Sequence, residues 1–206
     1  FGSLLIRYGS EGGELHIEGF DPNDAYANPG IGTFQFTDRT LTYQQLIDLG
    51  FDISGNNELN MLTGSSATDR IKGLGGNDTL QSGLGADVLE GGQGNDLLSG
   101  GMGNDTYVFN TGDGNDTIQD VAGAGEGNRI QFGTGISQSA LSFTHDQAAR
   151  NLTIQVGSSG TNKLLLTNFD PTGANGSLVV GTLVFADGSS MNLADLFPTA
   201  VNHAPT

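Results

Sequence analysis

Gly91-Gly92-Gln93-Gly94-Asn95-Asp96-Leu97-Leu98-Ser99 runs straight into Gly100-Gly101-Met102-Gly103-Asn104-Asp105-Thr106-Tyr107-Val108, and the two nonapeptides share one grammar. Working outward, Asp69, Asp78, Asp87, Asp96 and Asp105 fall nine residues apart. Two residues after each stands one large apolar residue: Ile71, Leu80, Leu89, Leu98 and Tyr107. Two residues before most of them stands a glycine, Gly76, Gly85, Gly94 or Gly103, with Ala67 the exception. A flexible glycine-rich linker would share this composition. It would not hold aspartate and leucine in phase over five repeats.

The first six residues of each nonapeptide are turn chemistry, because glycine reaches φ > 0 without a Cβ penalty and lets the backbone aim its carbonyls at one point. The last three are expected to form a very short strand whose middle side chain faces inward. One turn and one strand reverse the chain once, so a full coil takes eighteen residues. Asp69, Asp87 and Asp105 then stack on one side, and Asp78 and Asp96 on the other. Adjacent strands lie about 4.8 Å apart, and calcium–oxygen distances are about 2.3–2.6 Å. A cation between two stacked carboxylates therefore fits the coil spacing. The backbone carbonyl candidates that would complete an all-oxygen shell are Gly73, Gly75, Gly76, Gly91, Gly92, Gly94, Gly100, Gly101 and Gly103. Such a shell suits calcium better than magnesium, which demands a smaller octahedron and keeps its waters.

These repeats resemble the glycine- and aspartate-rich nonapeptides of the RTX (repeats-in-toxin, haemolysin-type calcium-binding) family. The resemblance implies a parallel β-roll with calcium between successive turns. It also implies a setting, since the family occurs in toxins, lipases, metalloproteases and giant adhesins secreted by Gram-negative bacteria. Metal ligation is implied residue by residue for the five in-phase aspartates. Two copies depart from the pattern. Gly64-Ser65-Ser66-Ala67-Thr68-Asp69 lacks most glycines, and Gly55 to Thr63 has Asn60 where aspartate should be. Both are expected to be coils with weak or absent metal.

The chain has 206 residues, 34 Gly, no Cys and no Trp, and its net charge is −16. That acidity repels nucleic acid and anionic membrane surfaces, and it reads more naturally as unfilled cation sites. Without cysteine there is neither a disulfide scaffold nor a thiolate zinc site. No apolar run approaches the roughly 18–20 residues that span a bilayer, so no membrane insertion by this segment is expected. No signal peptide stands at Phe1, and the chain reads as an excerpt of something longer.

Upstream of the tract, Leu4, Ile6 and Tyr8 alternate as in a strand, Gly9 to Gly13 reads as a turn, and Glu14 to Phe20 as a second strand. Asp21 to Gly32 reads as a polar loop and Thr33 to Phe36 as a strand. Thr42-Tyr43-Gln44-Gln45 is a capping box that predicts a helix of about two turns, stopped by Gly50. The same programme recurs downstream. Leu152 to Ser158 parallels Leu4 to Ser10, Asn168-Phe169-Asp170-Pro171 parallels Gly19-Phe20-Asp21-Pro22, and Gly181 to Asp187 parallels Gly32 to Asp38, at offsets of 148 to 150. Asn192 takes the capping place of Thr42. A module of about 149 residues is therefore expected to repeat in the parent protein. Between tract and second flank, Gly114, Asp116 and Ile118 keep the turn grammar two residues out of phase, which predicts a modified coil with Asp116 over Asp96. Ile130 and Phe132 read as a strand, and Ser137 begins a helical turn.

The expected fold is all-β: a right-handed parallel β-roll flanked by β-rich segments with short helices. The expected division is a flank at 1–54, the calcium-binding roll at 55–120, a β-rich domain at 121–198 and a linker at 199–206. The expected side-chain ligands are Asp69, Asp78, Asp87, Asp96, Asp105 and Asp116, expected to hold about three to five calcium ions. No Gly-x-Ser-x-Gly, His-Glu-x-x-His or Gly-Lys-Ser/Thr motif occurs, and His16, His145 and His203 read as surface residues. Asp21-Pro22-Asn23-Asp24 starts like an EF-hand loop, but Tyr26 replaces the needed glycine, so it reads as a polar turn. The favoured function is a non-catalytic calcium-binding structural module of a secreted or surface protein of a Gram-negative bacterium, with neighbouring modules as partners. The tail of a secreted lipase or protease, or an adhesin module with an unknown surface ligand, stays open.

Overall fold

The computed structural model describes residues 2–8, 13–120, 126–171 and 179–197. The tail from 198 on, with the expected linker and His203, lies outside them, as do the Gly9–Gly12 part of the first turn and the side chain of Tyr8. The N-terminal flank holds two antiparallel pairs, β1 (Gly2–Tyr8) with β2 (Gly13–Phe20) and β3 (Thr33–Gln35) with β4 (Thr40–Thr42). The expected polar turn is a 3-10 segment, Pro22–Asp24, capped by the Asp21 side chain. Helix α1 (Tyr43–Ile47) starts on the expected capping box, with both reciprocal Thr42–Gln45 bonds formed. It is a single turn and a half, shorter than expected, because Asp48 to Gly50 already turns back toward the roll.

The roll follows: β5 (Phe51–Ser54), β6 (Met61–Thr63), β7 (Asp69–Gly75), β8 (Thr79–Leu84), β9 (Val88–Gln93), β10 (Leu97–Met102), β11 (Thr106–Phe109) and β12 (Asn115–Ile118). Beyond it come β13 (Arg129–Phe132), a 3-10 turn (Gln138–Ala140) that begins after Ser137, β14 (Leu141–Asp146), β15 (Asn151–Val156), β16 (Lys163–Leu166), β17 (Thr182–Val184), β18 (Ser190–Asn192) and α2 (Leu193–Leu196). Two seven-stranded sheets result, in the orders β14-β15-β16-β12-β10-β8-β6 and β18-β17-β13-β11-β9-β7-β5. Even strands lie in one and odd strands in the other across the tract, which is the signature of a two-turn coil. Pairing is parallel from β5 and β6 through β16 and β17. This is a parallel β-roll.

Strand length departs from the three residues expected. β8, β9 and β10 have six residues each and β7 has seven. The pairing runs on into the glycines, with Leu74 opposite Gly92 and Gly101 opposite Gly83, because stacked turns of identical shape keep their backbone groups in ladder register. The inward residues are as the period demands: Ile71, Leu80, Leu89, Leu98 and Tyr107 are all buried. Their core is continuous with Ile118, Ile130, Phe132, Leu164, Phe185 and Leu193, so both sheets and one hydrophobic core cross residue 120 without a break. The flank has its own smaller cluster around Ile17, Phe20, Phe34, Tyr43 and Ile47. His16 is exposed, whereas His145 is half-buried, edge-on to Phe169 and Phe197.

Candidate metal sites along the two edges of the roll

Each aspartate precedes its inward apolar residue by two positions, so side-chain alternation turns both toward the inside of the coil. The registers Arg70–Val88 and Val88–Thr106 bring Asp69, Asp87 and Asp105 to one edge. Thr79–Leu97 and Leu97–Thr117 bring Asp78, Asp96 and Asp116 to the other. Asp116 thus recovers the register despite its two extra residues. All six are buried.

One oxygen of each carboxylate has a fixed partner. Asp87 Oδ1 accepts the Asp69 backbone N–H at 2.8 Å, and Asp105 Oδ1 accepts that of Asp87 at 3.0 Å. On the other edge Asp78 Oδ1 accepts from Asn60 N–H at 2.7 Å, Asp96 Oδ1 from Asp78 N–H at 2.7 Å, and Asp116 Oδ1 from Asp96 N–H at 3.0 Å. The second oxygen is different. Oδ2 of Asp78, Asp87, Asp96 and Asp105 is buried and has no hydrogen-bond partner. Such an atom is expensive to leave in that state, and four in phase are not a packing accident. The nearby Ser82 hydroxyl does not relieve Asp87, because it donates to the Gly100 carbonyl at 2.7 Å. Each of these four carboxylates therefore offers one oxygen to a ligand rather than two.

Electrostatics agree. Burial pushes the Asp87 carboxyl up to about 7, with the Asp105 and Asp69 charges adding to it. Burial also raises Asp96 and Asp105 to about 6 and Asp116 to about 8. Asp69 and Asp113 are raised for the same reason.

The glycines show what stands opposite the free oxygens. A Cβ on Gly73 would collide with both Asp78 Oδ2 and the Gly91 carbonyl, so these two oxygens converge on the same small space. Gly91 and Gly100 likewise leave room for Asp96 Oδ2 and Asp105 Oδ2. Among the described residues no three His, Asp or Glu side chains converge on one point. A cation here would draw on one or two carboxylate oxygens and complete its shell with carbonyls, the donor set of a hard cation.

The RTX calcium-binding nonapeptide repeat profile matches four overlapping stretches, residues 54–89, 63–98, 73–107 and 81–118. Residues 54–118 carry RTX calcium-binding nonapeptide repeats. No curated protein matches the chain. Among solved structures, the chain is similar to the AlgE6R2 subunit of the Azotobacter vinelandii mannuronan C5-epimerase, at 21% identity and a TM-score of 0.45, over 56% of this chain and 83% of that one. It is similar to the AlgE6R3 subunit of the same enzyme at 21% identity and a TM-score of 0.45, over 73% and 92%.

RTX repeats bind calcium, and the copies in this tract are not equivalent. Asp69 Oδ2 accepts from the Ser65 N–H at 2.6 Å and from its hydroxyl at 3.1 Å, so its turn is closed from within. Asn60 closes its own turn through Asn56 N–H at 2.7 Å. These are the two copies whose sequences depart. Of the carbonyl candidates, that of Gly91 shares its space with Asp78 Oδ2 and that of Gly73 lies beside the Asn60 amide oxygen, while those of Gly94 and Gly100 already accept from Asn115 N–H at 3.2 Å and Ser82. Gly76 points its carbonyl at Gly94 in the next coil. Gly75, Gly92, Gly101 and Gly103 lie in the same turns, and the Gly101 and Gly103 N–H groups go to Asp120 and Glu126.

Sequence reading missed the top of the ladder. The Asp105 N–H donates to Asn128 Oδ1 at 2.8 Å, so Asn128 is the next rung on that edge. Asp120 ties Gly101 N–H, the Tyr107 hydroxyl and Asn128 Nδ2 together. A signal existed: Asn128-Arg129-Ile130 repeats the Asp-x-apolar grammar with an amide, hidden by a spacing of 23.

Proposed function

We propose that this chain is a non-catalytic structural module of a secreted or cell-surface protein, whose tract takes up calcium and thereby sets the roll. The observation that carries this reading is the row of buried, unpartnered Oδ2 atoms on Asp78, Asp87, Asp96 and Asp105. With one free oxygen on each of four in-phase copies, about four ions fit the ladder, within the three to five that the repeats suggest. Asp116 serves as the outer ligand of one edge, whereas on the other edge Asp69 is already held by Ser65 and contributes least. Calcium when bound supplies positive charge to carboxylates that burial otherwise disfavours. This chain's own part is to hold them fixed by the Oδ1 bonds and to offer carbonyls beside them.

A tract with one inward apolar residue per repeat has little surface to bury, so binding free energy becomes folding free energy. An extracellular affinity of about 10⁻⁴–10⁻³ M would leave it unfolded in a calcium-poor cytosol and fold it outside a Gram-negative cell. No helix among the described residues is long and apolar enough to cross a membrane. Circular dichroism during a calcium titration tests the reading. A chelated chain should gain β signal cooperatively as calcium rises, and an unchanged spectrum that is already β-rich in chelator would refute it.

A further inference from the structure

The N-terminal flank and the segment after the roll are one structure built twice. In β1–β2, Leu4 stands opposite Ile17 and Ile6 opposite Leu15. In β15–β16, Leu152 stands opposite Leu166 and Ile154 opposite Leu164. In β3–β4, Phe34 faces Leu41, as Leu183 faces Met191 in β17–β18. Gly19 and Asn168 both sit at positive φ, 76° and 58°, just before Phe20 and Phe169. A helix capped by a side chain follows each pair.

What differs is the cover. In the second copy β16 pairs in parallel with β12, β17 pairs in parallel with β13, and Phe132 stacks on Phe185 with centroids 5.4 Å apart. Leu164 and Phe185 are consequently 1% and 3% exposed, whereas their counterparts Leu15 and Phe36 are 43% and 36% exposed. Ile154 is fully buried and its counterpart Ile6 only half so. Among the described residues β2 pairs only with β1, and β3 only with β4. Between them lies a groove of about 390 Å³ lined by Ile6, Glu14, Leu15, Thr33, Phe34 and Phe36.

We infer that this open face is the seat of the last coil of another roll of the same kind, lying on β2 and β3 as β12 and β13 lie on β16 and β17. The occupant is two parallel strands, one like Asn115–Ile118 on β2 and one like Arg129–Phe132 on β3, with an aromatic ring placed to stack on Phe36. The opposite side of the flank is already fastened to this chain's own first coil. Ser66 N–H donates to the Pro22 carbonyl at 2.7 Å, Ala25 N–H to Ser66 Oγ at 2.8 Å, and Phe20 packs edge-on against Phe51. One flank thus caps one roll and founds the next, giving a stiff joint between modules. The inference stands on the duplication and goes beyond the calcium reading.

The absence of cysteine makes the test direct. Leu15→Cys and Phe36→Cys are placed, singly, in the full chain and in a tandem carrying an extra copy of residues 55–150 joined ahead of Ser3. Thiol labelling in calcium should be about tenfold or more slower in the tandem at both positions, while Leu59→Cys, 70% exposed, should label equally in both. Calcium-dependent circular dichroism of the single chain checks the calcium reading separately, and the tandem should show about twice that change. Unchanged labelling at positions 15 and 36 with both rolls folded overturns the inference. Protection in the single chain, together with a dimer mass, also overturns it by giving the face to a second whole chain.

Discussion

Gly94 shows how strictly single positions are specified. Its φ is +149°, and a Cβ there would strike the Gly76 carbonyl of the coil below. Both the dihedral and the contact are wrong for any L side chain. Gly94→Ala should lose roughly 2 kcal/mol or more in calcium-saturated denaturant unfolding. Gly32→Ala, with nothing within 4 Å, should stay within about 0.5 kcal/mol. Equal effects would mean that coil stacking is not what selects glycine. The aspartates also differ. Asp69 is closed by Ser65, whereas Asp87 keeps a free oxygen and accepts the Asp69 N–H. Asp87→Ala should therefore reduce calcium stoichiometry or affinity in calorimetry more than Asp69→Ala does. Matching losses from the two would contradict this assignment of ligands.

At the scale of elements, the rungs were legible and their ends were not. The nine-residue period placed the inward apolar residues and both aspartate edges, because side-chain alternation and coil closure follow directly from sequence spacing. N-cap signals placed both helices, the Thr42–Gln45 box for the first and Asn192 for the second, since a cap is a local hydrogen bond. Strand lengths were underestimated, because ladder pairing through the glycine turns is a property of stacked coils and not of one nonapeptide. Asn128 escaped for a similar reason: its role is set by the coil beneath it, 23 residues back. That role can be measured. Asn128→Ala removes the acceptor for the Asp105 N–H and a donor to Asp120 and the Val179 carbonyl, at a cost of roughly 1–3 kcal/mol. Hydrogen exchange at the Asp105 amide should quicken markedly while that of the Asp78 amide, on the other edge, changes little. If Asp105 stays as protected as before, the amide is not closing the ladder.

For the whole molecule, the charge of −16 and the buried carboxylates set protons and calcium in competition. Asp87 is raised to about 7, Asp96 and Asp105 to about 6 and Asp116 to about 8, chiefly by burial. A carboxyl whose folded pKa lies above its unfolded value favours folding when protonated. Its contribution is complete below the ordinary carboxylate range and is lost as pH rises through the folded value. In chelator the coils should thus be least stable near pH 8 and gain stability toward about pH 5.5, a value still above the isoelectric point of about 4.1. In calcium the order reverses, because the ions need ionised oxygens: the calcium midpoint should rise as pH falls across the same window. Circular dichroism at both pH values, with and without calcium, gives four readings. A chelated chain with no more β signal at the lower pH, or a calcium midpoint independent of pH, would show that the buried aspartates are not the groups that link folding to cation uptake.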